Sequence, residues 1–134
     1  MKVFITGASG LIGLTVVEEL LSHGHQVLAL ARSDAAADAL TKAGAEPHRG
    51  HLTDIESLRS GAKASDGVIH LAYTEDMDND VDRAAIEAMA DGMAGTNNPL
   101  VMTSVVLITS GNGVGTEESN VHTSKSTQVL RFNA

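Results

Sequence analysis

Three glycines, at positions 7, 10 and 13 of Thr6-Gly7-Ala8-Ser9-Gly10-Leu11-Ile12-Gly13, have the type and spacing to hold a phosphate. A glycine turn leading from a strand into a helix offers free backbone N–H groups and the positive end of the helix dipole to an anion. In the dinucleotide fingerprint the first glycine makes the tight turn and the second lets the backbone approach a pyrophosphate. The third lets helix and strand pack closely. Gly7, Gly10 and Gly13 stand in those places, with Ser9, Leu11 and Ile12 completing the loop that would face the ligand. The flanking sequence fits: Val3-Phe4-Ile5 reads as a buried strand. Beyond the turn, Leu11, Ile12, Val16, Val17, Leu20 and Leu21 fall on one side of a helix, and Glu18, Glu19 and Ser22 on the other. Gly24 takes the C-cap place. The competing reading is a mere strand-ending turn at Gly7, with the other two glycines tolerated in a loose helix start.

The end of the second strand, Gln26–Ala31, bears on which nucleotide would bind. An acid about twenty residues beyond the glycines binds the ribose 2′-hydroxyl of NAD, whereas a nearby Arg accommodates the 2′-phosphate of NADP. Ala31 stands where the acid is expected, and Arg32-Ser33 follow. Arg32 supplies a planar donor fork suited to phosphate and Ser33 a hydroxyl donor, so NADP(H) is the expected cofactor. Asp34 keeps NAD as the alternative, although at a helix start it also reads as an N-cap.

The glycine spacing of TGASGLIG resembles that of the extended and atypical short-chain dehydrogenase/reductase superfamily, especially its NAD-dependent epimerase/dehydratase-like members. The resemblance runs from Met1 to about Glu118 and is strongest over the first 72 residues. It implies further cofactor contacts. After the third strand, where the superfamily has an Asp against the adenine amino group, this chain has His51, which can stack on adenine or hydrogen-bond to it but cannot act as a carboxylate. The Leu52 backbone would line the same pocket. His70-Leu71-Ala72 is similar to the HLA signature of the epimerase-like branch, whose backbone approaches the cofactor ribose; His70 itself reads as structural, and Ala72 matters for being small.

For catalysis the resemblance implies a Tyr acid with a Lys four residues later that lowers its pKa and holds the ribose. Lys125 stands in the right region, but Val121 occupies the tyrosine position, and the sole tyrosine, Tyr73, lies on another loop. Thr103 and Ser104 take the place of the assisting hydroxyl at the end of strand five. Three readings follow: Tyr73 or His122 serves as the acid, the substrate or water handles the proton, or the chain binds cofactor without turnover.

These residues need a scaffold. Glu46–Gly50 reads as a polar third strand at a sheet edge, Asp66–Leu71 as the fourth, and Leu100–Ser104 as a fifth that could run on through Ile108. Helices are expected from Ser33 or Asp34 to about Ala43, from Ile55 to about Lys63, from about Asp80 to Met93, and from about Thr123 to Arg131. Alternating strands and helices give an α/β fold: a Rossmann-like, doubly wound parallel sheet of about five strands in order 3-2-1-4-5. Its ligand crevice lies at the carboxyl ends of strands one and four. Asp76-Met77-Asp78-Asn79-Asp80-Val81-Asp82, with Glu87 twelfth, imitates an EF-hand series, but Val81 holds the position that needs glycine. An acidic loop entering a helix N-terminus is the expected structure, with no metal site.

Composition narrows the functions. A chain of 134 residues is one domain, and a formal charge of −8 without a basic cluster speaks against a nucleic-acid partner. No apolar stretch is long enough to span a membrane, and the absence of cysteine removes disulfides and thiolate metal sites. A cytoplasmic location is the default expectation. Epimerase-like relatives continue into a substrate-binding part, so the chain reads as the cofactor half of such an enzyme, with the flank of strand five disposed towards homodimer formation. Two functions are open: the cofactor domain of an oxidoreductase acting on a carbonyl or alcohol, or a non-catalytic NADP(H)-binding sensor.

Overall fold

The computed structural model describes residues 1–74 and 78–103. The expected Gly-rich stretch and last helix, with Ser104, His122 and Lys125, lie outside the described residues. Five strands, β1 (Lys2–Thr6), β2 (Gln26–Ala31), β3 (Glu46–Arg49), β4 (Gly67–His70) and β5 (Leu100–Met102), alternate with four helices. These are α1 (Leu11–Ser22), α2 (Asp34–Lys42), α3 (Ile55–Lys63) and α4 (Asn79–Gly92). All strand pairings are parallel and the order is β3-β2-β1-β4-β5, as the alternation required. The order reverses between β1 and β4, so the two first-used halves of the sheet part there and leave a crevice at the strands' carboxyl ends.

The pleat of β1 divides the core between two faces. Val3 and Ile5 join Val27, Ala29 and Ala31 of β2 against Val17 of α1 and Leu40 of α2. Phe4 points the other way, into a cluster with Leu28, Leu30 and Val68 beneath Leu58 of α3 and Met89 of α4. Both faces are therefore covered, which is why the central strands read as unbroken apolar runs. β3 sits at the edge, as its polarity suggested. Pro47, which has no N–H to give, is tolerated in such a strand.

Helix boundaries follow local chemistry. Ser33 caps α2 by accepting from the Ala36 N–H at 3.2 Å, and Asp54 caps α3 by accepting from Ser57 N–H at 3.1 Å. α1 differs from expectation at its start. Leu11 and Ile12, placed on the apolar side of the helix and also on the loop that would face a ligand, are 90% and 64% exposed, and the helix buries Gly13 and Val17.

α3 carries a glycine in mid-helix, a position that ordinarily costs about 1 kcal/mol relative to Ala. Here the reason is a close crossing over the sheet. A Cβ at Gly61 would lie 2.5 Å from Cε2 and Cζ of the fully buried Phe4 ring. Gly61→Ala is expected to lower the unfolding free energy by about 1–2 kcal/mol, overpacking outweighing the gain in helix propensity. Urea denaturation of Gly61→Ala, with and without Phe4→Leu, checks it: the smaller side chain should recover most of the loss.

Candidate functional site

The site grows from the turn between β1 and α1. Gly7 has φ +73°, a left-handed conformation suited to glycine, and a Cβ there would stand 2.7 Å from the Ala72 nitrogen. The Gly10 N–H donates to the Gly7 carbonyl at 3.1 Å, closing the turn, and the Leu14 N–H donates to the Gly10 carbonyl at 2.9 Å, opening the helix. A Cβ at Gly13 would lie 2.1 Å from the Gly7 carbonyl oxygen and 2.6 Å from Ala8 Cα, so the helix can approach the turn only because position 13 has no side chain. Gly7 and Gly13 thus have steric reasons for being glycine, in the turn and at the helix–turn packing respectively.

The start of α1 is unlike that of its neighbours. Gly10 is its N-cap and supplies no side-chain cap, and its first turn holds no acid. α2, α3 and α4 each have a side-chain cap, from Ser33, Asp54 and Asp78, and each has an acid in its first turn. The N–H groups of Leu11, Ile12 and Gly13 have no intrahelical acceptor and form the positive end of the helix dipole. Ser9 is exposed beside them. Such a helix start can receive an anion.

On the β2 side, Arg32 is exposed, and among the described residues it has no ion-pair partner. Ser33 accepts from Ala36 N–H, which leaves its own hydroxyl proton to donate. Asp34, the carboxylate that kept NAD as an alternative, is held by Arg49 at 2.5 Å. Parallel register sets Arg49 opposite Ala31, so two guanidinium groups stand at the carboxyl ends of β2 and β3. Arg49 was not singled out from the sequence. Its only signal there was a basic residue ending a short edge strand.

Past β3, His51 is exposed and its Nδ1 lies 2.8 Å from the Thr53 hydroxyl, while Leu52 is half-buried against the Phe4 cluster. Leu71 and Ala72 follow β4 directly and come against Gly7: the Leu71 N–H donates to the Thr6 carbonyl at 3.2 Å. Tyr73 comes next and is half-buried. Thr103, also half-buried, donates its N–H to the His70 carbonyl at 3.1 Å, so Tyr73 and Thr103 lie beyond the carboxyl ends of adjacent strands.

His70 is fully buried, as its structural reading anticipated. Its Nδ1 lies 2.6 Å from the Thr6 hydroxyl and its Nε2 lies 3.0 Å from Asp82 Oδ1. The acidic segment behaves as a helix start. Asp78 caps α4 by accepting from Asp80 N–H and Val81 N–H, and Asp82 turns inward to His70; Asp76 and Met77 lie outside the described residues.

A doubly wound sheet whose β1 ends in an open glycine turn at the reversal point defines a Rossmann-like dinucleotide-binding domain. The chain belongs to the NAD(P)H-binding family whose model matches residues 7–127. An uncharacterized protein of Saccharomyces cerevisiae is 43% identical over 138 residues, spanning 98% of this chain and 46% of its own. The sterol-4-alpha-carboxylate 3-dehydrogenase (decarboxylating) of Dictyostelium discoideum is 43% identical over 71 residues, 53% of this chain and 22% of its own. Among solved structures, UDP-glucose 4-epimerase from Bifidobacterium longum, in complex with NAD+ and UDP, superimposes with a TM-score of 0.80 at 18% identity. That match covers 99% of this chain and 47% of the epimerase. The chain thus spans less than half the length of the yeast relative and of the epimerase. Among the described residues no helix is long and apolar enough to cross a membrane.

Proposed function

We propose that this chain is the cofactor-binding part of an NADP(H)-dependent oxidoreductase acting on a carbonyl or alcohol substrate. The observation that carries the reading is the start of α1, which has no side-chain cap and is packed onto the turn so closely that Gly7 and Gly13 leave no room for a Cβ. In this reading the N–H groups of Leu11, Ile12 and Gly13 hold the pyrophosphate, with Ser9 beside them. His51 and Leu52 border the adenine, and the Leu71–Ala72 backbone lines the opposite wall. The bound nucleotide supplies a hydride donor or acceptor at its nicotinamide ring. Tyr73 and Thr103 stand on the side of the crevice where that ring would lie, and Ser104 and Lys125 are the further candidates for moving the proton.

The preference for NADP(H) rests on charge. Arg49 occupies the Asp34 carboxylate, while Arg32 is exposed and able to fork onto a 2′-phosphate. A reductase relative in structure points the same way: a quinone oxidoreductase from Escherichia coli, NADPH-dependent by its name, matches at a TM-score of 0.63 and 25% identity over 79% of this chain.

Fluorescence titration with NADPH and NADH tests the reading directly. Arg32→Ala is expected to raise the Kd for NADPH by about tenfold or more, the worth of one or two charge-assisted hydrogen bonds, and to leave NADH nearly unchanged. Equal losses for both nucleotides would defeat the 2′-phosphate assignment. Failure of the wild-type chain to bind either would defeat the cofactor reading itself. Turnover of simple ketones with bound NADPH tests the reaction class.

A further inference from the structure

Four groups from three separate parts of the chain meet behind the crevice. The Ala72 N–H donates to Thr6 Oγ1 at 3.3 Å, Thr6 Oγ1 is 2.6 Å from His70 Nδ1, and His70 Nε2 is 3.0 Å from Asp82 Oδ1. Thr6 and His70 are completely buried and Asp82 is nearly so. The carboxylate oxygen can only accept, so in the neutral ring Nε2 carries the proton and Nδ1 is the acceptor. The Thr6 hydroxyl then donates to Nδ1, and its oxygen stays available to the Ala72 N–H. Each donor in this arrangement meets an acceptor, and all the bonds run in one sense, from Ala72 through Thr6 and His70 to Asp82.

We infer that Asp82, His70 and Thr6 are positioning residues that hold the Leu71–Ala72 backbone against the glycine turn and so fix the floor of the nucleotide crevice where β1 and β4 part. The inference rests on the nucleotide-binding reading above. The Ala72 nitrogen is the atom that a Cβ on Gly7 would strike, at 2.7 Å, so the relay ends at the packing contact between the glycine turn and the end of β4. Thr6 is the last residue of β1 and His70 the last of β4, in register with each other across the reversal point. Asp82 lies in the first turn of α4 and ties that helix to the same place. None of the three side chains needs to reach the ligand; each acts through the next, and the last acts on a backbone amide.

Position along the sheet makes the inference testable. The 2′-phosphate end of the nucleotide lies over β2, and the rest of the molecule crosses β1 towards β4. Adenosine 2′,5′-bisphosphate therefore samples the β1–β2 side, whereas NADPH must also lie across the Gly7–Ala72 contact towards β4. Thr6→Val keeps the side-chain shape and removes the hydroxyl. It is expected to weaken NADPH about tenfold, the affinity equivalent of one well-placed hydrogen bond, and to change adenosine 2′,5′-bisphosphate by less than about twofold. Thr6→Ser, which restores the hydroxyl, should recover NADPH binding. A general loss of structure would weaken both ligands together; that result, or no change in either, overturns the inference.

A second measurement needs no variant. Nitrogen-15 shifts of the His70 ring in the wild-type chain should report a proton on Nε2 and a bare Nδ1, and the opposite tautomer overturns the relay. If wild-type protein binds neither ligand, the nucleotide reading fails, while the ring shifts still judge the relay on their own.

Discussion

Gly13→Ala is expected to remove both stability and ligand binding. The new Cβ would be placed 2.1 Å from the Gly7 carbonyl oxygen and 2.6 Å from Ala8 Cα, and neither is the movable end of a side chain. Relief requires α1 to lift from the turn. Overpacking against backbone of this kind costs about 3 kcal/mol or more. Lifting the helix also withdraws the N–H groups of Leu11, Ile12 and Gly13 from a bound pyrophosphate. Losing even one charge-assisted hydrogen bond of about 1.5–3 kcal/mol raises Kd at least about tenfold. Thermal unfolding and NADPH titration of the same variant measure the two effects separately. A stable variant with intact binding would show that α1 and the turn are not packed as described.

The second large effect is expected at Asp82. Asp82→Ala leaves the Nε2–H of a fully buried imidazole without its acceptor, a loss of about 3 kcal/mol in unfolding free energy. For a domain of this size that corresponds to a fall in Tm on the order of 10 °C. Asp82→Asn retains a carbonyl oxygen for the same bond and should cost no more than about half as much. Calorimetric scans of the two variants check the ordering. If alanine and asparagine prove equally mild, the His70–Asp82 contact does not support the fold. Exposed pairs such as Lys2–Glu46, 2.8 Å apart, contribute far less, because water screens them.

The sheet was legible because its strands obey a rule that the chain can state locally. Val3-Phe4-Ile5 and Gln26–Ala31 are apolar on both faces, and each helix between them starts at a recognisable cap or turn. α3, Ile55–Lys63, was readable to the residue because Asp54 caps it and Lys63 closes its last turn. The glycine turn was legible for the same reason, its hydrogen bonds being made by neighbours in sequence. Periodicity put Leu11 and Ile12 on the apolar side of α1, but it cannot tell which residues of that side are covered, and these two are exposed.

Contacts between distant residues stayed hidden. Thr6 and His70 are 64 positions apart, and neither type identifies the other. Asp82 read as one more acid in an acidic segment, yet it is buried, whereas Asp80 beside it is exposed. The Arg49–Asp34 pair was equally invisible, although it decides how the end of β2 presents its charge. Gly61 carried a signal that could have been used: a glycine inside an otherwise regular helix implies something large passing close by, and Phe4 is that neighbour.

The bare N-cap of α1 also has an evolutionary consequence. A Ser, Thr or Asp at an N-cap is generally worth about 1 kcal/mol over a residue that cannot cap. Selection for robustness alone would therefore favour a capping side chain at position 10, as it has at Ser33, Asp54 and Asp78. Such a side chain would satisfy the very donors a ligand needs, and its Cβ would crowd the Gly7 carbonyl at 3.3 Å. Drift towards a sturdier helix and retention of the ligand thus pull the same codon in opposite directions.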